Sequence, residues 1–120
     1  MRFYCTDDTV DLEQYPYHVR DVHISDPFIL ADPKSRCYYT YVQFADTKRF
    51  PDVETDKEHG VFYVLESKDL IHWSKPQICF RQNNFWADKD YWAPEVHIWK
   101  GRYYLFSSFR ADGHYRKCQC

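Results

Sequence analysis

Two stretches of the chain, residues 26–31 (DPFILA) and residues 93–99 (APEVHIW), each carry a proline at their second position and are each followed by an aromatic segment. The first is followed, after a short turn, by the aromatic run CYYTY at 37–41. The second is followed, after a shorter turn, by RYYLF at 102–106. Each copy therefore consists of a strand that begins at a proline, a turn, and a second strand rich in aromatic residues. A strand-turn-strand unit that occurs twice is typical of a repeat architecture.

Each copy also holds a carboxylate beside its proline. Asp26 precedes Pro27, and Glu95 follows Pro94. Acids at the same place in successive repeats indicate a shared site. The alternative for Asp26 is a turn residue, because Asp before Pro commonly initiates a turn. The alternative for Glu95 is a structural acid that accepts hydrogen bonds from backbone N–H groups or from a neighbouring Tyr.

The segments around the two copies are predicted to be strands and loops, since none shows sustained helical periodicity. Further strands are predicted at 61–66 and, as a short outer strand, at 77–80, while CYYTYVQF at 37–44 extends the first aromatic run. Residues 1–20 are polar and are expected to be irregular, and the charged stretch at 45–60 is expected to be a loop. Residues 95–99 and 102–109 are predicted to form a hairpin around Lys100-Gly101, in which Gly101 supplies a positive φ.

The period of the repeat predicts a β-propeller. Pro27 and Pro94 are 67 positions apart, whereas a propeller blade takes about 40–50 residues, and the charged loop accounts for most of the excess. The predicted fold class is all-β, a partial propeller of about one and a half to two blades. That is fewer than the roughly four to eight blades that close a propeller. Trp73 is expected to pack between blades.

Composition narrows the possible functions. Aromatic residues make up 20% of the chain, which favours strands and also suits stacking on sugars or bases. The net charge of −2 argues against a nucleic-acid partner, because a phosphate backbone calls for a basic face. No segment approaches the roughly 18 apolar residues of a membrane span. With only three glycines, a phosphate-binding loop is not expected.

The cysteines and histidines predict neither a disulfide framework nor a metal site. The five cysteines are odd in number and irregularly spaced, so most are expected to be free thiols in a reducing compartment. The six histidines lack the paired spacing of metal ligands. Residues 1–20 are rich in acids and hold no apolar run, unlike a signal peptide. A cytoplasmic location and a function without cofactor or metal are therefore expected.

The order of the motifs resembles glycoside hydrolase family 43. The matching segments are collinear from about residue 21 to residue 109, and read SDPFILA, YYTY, VFYVLESKDLIHW, YWAPEVH and GRYYLFSSF. The combination of S-x-D-L-x-x-W with W-A-P-E is fairly specific, whereas D-P-F-I alone is weak. The family comprises five-bladed β-propeller β-xylosidases, α-L-arabinofuranosidases and arabinanases. The resemblance implies that residues 1–120 are the N-terminal portion of such a domain.

The resemblance also implies a catalytic role for Asp26. The family inverts configuration, with an Asp base on the first blade, and Asp26 matches that base. Its pKa-tuning Asp and its acid Glu belong to the third and fourth blades, which this chain does not contain. The residue before the base is often Arg in the family and is Ser25 here. Hydrolysis of xylan- or arabinan-type pentose glycans is implied. The isolated chain is expected to be inactive, with the remaining blades supplied by another chain.

Three further residues are predicted to contact the substrate. Trp92 is placed to stack on a pentose, with simple packing between blades as the alternative. Glu95 is placed to hydrogen-bond a sugar hydroxyl, and Phe28 is expected to pack beneath the site. His23 and His97, which lie near the two acids in the sequence, are interpreted as ordinary polar residues.

Two other functions remain open on the sequence alone. One is a carbohydrate-binding module without catalysis, which the aromatic content permits. The other is a truncated product without function, or one piece of a split gene.

Overall fold

The computed structural model describes residues 10–43, 50, 60–83, 85–114 and 117–119. Within these residues the chain forms nine strands: β1 (Tyr17–His18), β2 (Phe28–Asp32), β3 (Cys37–Gln43), β4 (Gly60–Ser67), β5 (His72–Trp73), β6 (Gln77–Arg81), β7 (Lys89–Trp99), β8 (Arg102–Arg110) and β9 (Lys117–Gln119). A 3₁₀ turn at Val19–Asp21 is the one helical segment in the described ranges. None of the described residues belongs to a helix with the length and apolar character needed to cross a membrane.

The first sheet is a complete blade. Strands β2, β3, β4 and β6 lie side by side and antiparallel, as the sequence predicts, and β5 and β1 extend the outer edge beside β4. The expectation that residues 1–20 are irregular is wrong for β1, because Tyr17 pairs with Trp73 and His18 with His72. Most of the predicted loop at 45–60 falls outside the described residues. Within it, Phe50 is buried and Gly60 begins β4.

The second sheet is a partial blade of three strands, β7, β8 and β9, in that order. The predicted two-residue turn is confirmed, because Trp99 pairs with Arg102 and both intervening residues have positive φ, 48° at Lys100 and 74° at Gly101. Two consecutive left-handed residues define the type I′ turn that fits the twist of a hairpin. Strand β9 was not predicted, because three residues are too few to show an alternating pattern.

One hydrophobic core lies on the face of the first blade that points away from the second. Val42 and Tyr63 are directly opposed on β3 and β4, as are Thr40 and Leu65, so their side chains share this face. Trp73 is 3% exposed and belongs to this cluster. Trp73 therefore does not pack between the two blades that the structure describes. It closes the core of a single blade, because the short β5 folds back against the end of β4.

The second core lies between the two blades and explains the high aromatic content. Phe62, fully buried on β4, meets the rings of Tyr91 and Phe109 from the second sheet at centroid distances of 6.2 and 6.3 Å. Phe85 lies 4.9 Å from Phe109 and 5.5 Å from Phe80, in both cases edge to face. Edge-to-face rings add about 0.5–1.5 kcal/mol per pair beyond their buried area. These contacts hold the two blades in register.

Candidate active site

Asp26 lies in the bend immediately before β2, and its backbone is left-handed, with a φ of 50°. This conformation is unfavourable for most residues other than Gly, Asn and Asp. A following proline disfavours the helical regions further, so the residue before Pro27 is expected to be extended. Strained backbone of this kind is concentrated at functional sites. The exposed Asp26 carboxylate thus stands at the head of an inner strand in a fixed, costly conformation.

The second copy of the repeat reproduces this backbone. Ala93, immediately before Pro94, has a φ of 49°. The repeat is therefore present in the backbone as well as in the sequence, and it equates Asp26 with Ala93 and Phe28 with Glu95. Asp26 and Glu95 were expected to occupy the same place in the two copies, and this expectation is wrong. Glu95 lies two residues after Ala93, which is the equivalent of Asp26. Only the first copy carries a carboxylate at the left-handed residue.

Strand β7 is irregular where it carries Trp92. Its pairing with β8 shifts register between Lys89 and Trp92 and again between Trp92 and Glu95. At each shift β7 has one more residue than the opposing segment of β8. Each bulge contains a left-handed residue, Asp90 (φ 52°) in the first and Ala93 in the second. Bulges redirect side chains and are frequent beside active sites. Trp92 itself is 39% exposed, and its carbonyl accepts a 2.6 Å hydrogen bond from Ser107 Oγ.

Phe28 and Glu95 converge on a third residue, His97. The rings of Phe28 and His97 are 5.1 Å apart, across the junction of the two blades. His97 Nε2 lies 3.3 Å from Glu95 Oε2, and both side chains are about half exposed. The sequence interpretation of His97 as an ordinary polar residue missed this contact. The available signal was alternation, because residues 95, 97 and 99 share one face of a strand.

That face of the second blade forms an open cleft of about 480 Å³, lined by Glu95, His97, Trp99, Tyr104 and Phe106. It joins aromatic surface to an acid–imidazole pair. The described residues contain no group of three or more His, Cys, Asp or Glu side chains placed to hold a metal. Cys37 and Cys79 are free thiols.

A buried carboxylate fixes the second blade on the first. Asp32, 3% exposed at the end of β2, accepts hydrogen bonds from Lys34 N at 2.9 Å and from Ser35 Oγ at 3.0 Å. A third comes from the hydroxyl of Tyr103 on β8, at 2.8 Å. Burial by itself would raise the pKa of Asp32, but the hydrogen bonds outweigh it and hold the pKa below its ordinary value.

The two sheets, whose inner strands are entered through left-handed residues before proline, are successive blades of a partial β-propeller. The family model described as "Glycosyl hydrolases family 43" matches residues 18–119. The chain belongs to that family.

Two solved structures resemble the chain. The endo-arabinase from Bacteroides thetaiotaomicron VPI-5482 is 30% identical, with a TM-score of 0.64 over 87% of this chain and 32% of its own. A thermostable family-43 glycoside hydrolase is 26% identical, with a TM-score of 0.59 over 79% of this chain and 27% of its own. The chain therefore spans about a third of the length of these structures. No curated protein matches the sequence.

Proposed function

We propose that this chain supplies the general base and the first two blades of an inverting glycoside hydrolase that cleaves pentose glycans of the arabinan or xylan type. The observation that carries the proposal is Asp26, a carboxylate held in a left-handed backbone before Pro27 at the head of an inner strand in a family-43 blade. An exposed carboxylate in a fixed position is what a water-activating base requires.

In the proposed reaction, Asp26 accepts a proton from a water molecule as that water attacks the anomeric carbon. A second carboxyl group protonates the departing glycosidic oxygen from the opposite side of the sugar. Inverting enzymes hold these two groups about 6.5–9.5 Å apart, which leaves room for the water. Family resemblance assigns the acid, and an Asp that tunes its pKa, to later blades. The 120-residue chain by itself is therefore proposed to lack hydrolytic activity.

Trp92, Glu95 and Phe28 are proposed to act on the substrate in different ways. The exposed ring of Trp92 offers a stacking surface for a pentose. Glu95 is available to accept a hydrogen bond from a sugar hydroxyl, with His97 holding its carboxylate. Phe28 supports this pair from below through the His97 ring. Among substrates, arabinan is favoured, because an endo-arabinase is among the similar structures.

The test uses the chain alone and the chain joined to the remaining blades of the matched endo-arabinase. Both proteins are assayed on linear arabinan, xylan and the nitrophenyl pentosides. We expect no turnover by the chain alone, turnover of arabinan by the joined protein, and its loss in Asp26→Asn. Turnover by the chain alone, or an unchanged rate in Asp26→Asn, would contradict the proposal.

A non-catalytic carbohydrate-binding role is the second candidate, favoured by the aromatic cleft beside Glu95 and His97. Calorimetry with arabino- and xylo-oligosaccharides distinguishes it. Saturable binding by the chain alone that survives Asp26→Ala and is lost in Trp99→Ala, which removes an aromatic ring from this cleft, would favour binding over catalysis.

A further inference from the structure

Three turns form the end of the two blades that lies opposite Asp26. Residues 33–36 join β2 to β3, residues 68–71 join β4 to β5, and residues 100–101 join β7 to β8. The hydrogen bond from Tyr103 to Asp32 places the third turn beside the first, and the pairing of Tyr38 with Ser67 places the second turn beside the first. We call these three turns, together with Arg102, the turn face. Because the blades of a propeller pack through the faces of their sheets, strand ends such as these stay open in a closed propeller.

Positive charge dominates the turn face. Its exposed side chains include five cations, namely Lys34, Arg36, Lys68, Lys100 and Arg102. The nearby carboxylates are engaged within the fold. Asp32 is buried under its three hydrogen bonds, Asp69 lies 2.7 Å from the His72 ring, and Glu66, at the margin, accepts a 2.6 Å hydrogen bond from the Tyr15 hydroxyl. The whole chain has a net charge of −2, so this excess of cations is local.

The cations at the opposite end of the blades are neutralised within the chain. Lys89 forms an ion pair with Asp112, and Arg110 forms one with Asp90 at 2.9 Å. On the turn face, by contrast, four of the five cations form no ion pair with any described residue: Lys34, Arg36, Lys100 and Arg102. Exposed cations collected on one face without counter-charges favour an anionic partner from outside the chain.

Two of these cations occupy backbone positions that ordinarily select other residues. Arg36 has a φ of 60° and Lys100 a φ of 48°. Left-handed backbone is routine for Gly and is tolerated by Asn and Asp, whereas a Lys or Arg there is strained. Asn at either position would relieve this strain, so the positive charge is retained at a cost in local stability. Such a cost points to a function for the charge.

The arrangement of the turn face favours a broad anionic surface over a small ligand. Its cations lie at the tips of three separate turns, so they meet an extended surface together and do not surround a single group. Trp99, beside the third turn, is 59% exposed, and Lys100 Nζ lies 4.4 Å from its ring centroid. An indole with an adjoining ammonium group suits the headgroup layer of a bilayer, where Trp rings are enriched and Lys side chains extend toward the phosphates.

We propose that the turn face docks on the surface of a bilayer rich in anionic lipid. The ammonium and guanidinium groups bind headgroup phosphates, and the Trp99 ring enters the headgroup layer. This docking is peripheral and requires no membrane-spanning segment. Because Asp26 precedes β2 and the first turn follows β2, Asp26 faces away from the docked bilayer. Docking does not depend on glycan hydrolysis, since none of the five cations belongs to the proposed catalytic site.

Co-sedimentation of the 120-residue chain with lipid vesicles tests this docking. One set of vesicles contains phosphatidylcholine alone, and the other contains equal parts of phosphatidylcholine and phosphatidylglycerol. We expect binding to the phosphatidylglycerol vesicles only, and its loss as sodium chloride is raised to about 1 M, where the Debye length is about 3 Å. Equal binding to both sets would overturn the proposal, because exposed apolar surface would then be the cause. A higher affinity for polygalacturonate or double-stranded DNA than for the vesicles would also overturn it and would assign the turn face to a soluble polyanion.

Lys100→Asn and Arg36→Asn are the decisive variants, because each replaces a cation by a residue that tolerates the left-handed backbone. Each is expected to raise the melting temperature while weakening binding to the phosphatidylglycerol vesicles about fivefold, the equivalent of about 1 kcal/mol for one cation near an anionic membrane. Opposite signs for stability and binding exclude unfolding as the cause. Lys89→Gln is the matched control, since it removes one cation from the opposite end, and it is expected to keep the vesicle affinity. A vesicle affinity that is unchanged in both Asn variants, or is lowered equally by Lys89→Gln, would overturn the proposal.

Discussion

The hydroxyl of Tyr103 on β8 lies 2.8 Å from the buried Oδ2 of Asp32 at the end of β2, and this hydrogen bond joins residues 71 positions apart. It is the polar counterpart of the aromatic core around Phe62. Asp32 terminates the strand that begins just after Asp26, and Tyr103 lies opposite Ile98 on the hairpin that carries Glu95. The contact therefore fixes the two inner strands relative to each other, and with them the residues proposed for catalysis and substrate binding.

Replacing Tyr103 by Phe is expected to lower the melting temperature, because one of the hydrogen bonds to the buried Asp32 carboxylate is lost. Tyr104→Phe is the matched control, since the hydroxyl of Tyr104 has no hydrogen-bond partner among the described residues and should be dispensable. Thermal unfolding followed by circular dichroism measures both. Equal melting temperatures for the two variants would show that the Tyr103–Asp32 bond does not hold the blades together.

Stability is expected to fall in acid through carboxylates whose pKa is lowered in the folded state. Asp69 is the clearest: burial would raise its pKa, but hydrogen bonds from the His72 N–H, the His72 ring and the Ile71 N–H lower it from 3.8 to about 2. A carboxylate whose pKa is lower in the folded state than in the unfolded state stabilises the protein at pH values above the unfolded-state pKa. This stabilisation is lost as the pH falls toward the folded-state pKa. The melting temperature of Asp69→Asn should thus lie furthest below that of the wild type above about pH 4, and the difference should shrink as the pH falls toward 2.

The matched control for this titration is Asp21→Asn, because Asp21 is exposed and has no hydrogen bond among the described residues. It should change the melting temperature little at any pH. A difference between wild type and Asp69→Asn that grows as the pH falls would have the wrong sign and would refute the account of Asp69.

The aromatic core between the blades is expected to contribute most to their association. Phe62→Ala removes a fully buried ring that meets Phe80, Tyr91 and Phe109, and it should cost about 3–5 kcal/mol. Trp99→Ala removes a larger ring that is 59% exposed, and it should change stability by no more than about 0.5 kcal/mol. Urea denaturation measures both. A larger loss of unfolding free energy in Trp99→Ala than in Phe62→Ala would show that the main core is not the aromatic cluster around Phe62.

The turn between β7 and β8 offers a pair of opposite predictions. Gly101 has a φ of 74° and open space around its Cα, so Gly101→Ala should destabilise by about 1 kcal/mol through backbone strain alone. Lys100 adopts a φ of 48°, and Lys100→Asn should stabilise the hairpin, since Asn-Gly is the preferred type I′ pair. Denaturant midpoints of the two variants should move in opposite directions. A shift in the same direction would argue against a type I′ turn.

Features with a local cause could be predicted from the sequence. The Lys100-Gly101 turn, strands β2, β3, β4 and β6 of the first blade, and the pairing of β7 with β8 follow from alternation, from glycine and from β-branched or aromatic runs. The repeat of Asp26-Pro27 in Ala93-Pro94 was visible as a motif, but its left-handed backbone was not. Proline predicts an extended residue before it, and only the surrounding structure holds the strained conformation.

Features that depend on long-range contacts could not be predicted. The place of Trp73 in the core of the first blade was not predicted, because a two-residue strand gives no periodicity and its partner Tyr17 is distant in the sequence. The meeting of Phe28, His97 and Glu95 depends on how two sheets pack. The sequence therefore predicted the family, whereas the packing around Asp26 required the structure.

Azide rescue of Asp26→Ala distinguishes a general base at position 26 from a structural carboxylate. In the protein completed with its remaining blades, removal of a general base should lower the hydrolysis rate by about 10²–10⁴-fold. Azide, an anion that needs no deprotonation and fits the space left by the carboxylate, should restore cleavage. The product should be a glycosyl azide of inverted configuration. Asp21→Ala is the control and should hydrolyse at the wild-type rate. Hydrolysis by Asp26→Ala at the wild-type rate, or a rescued product of retained configuration, would contradict the assignment of Asp26 as the base.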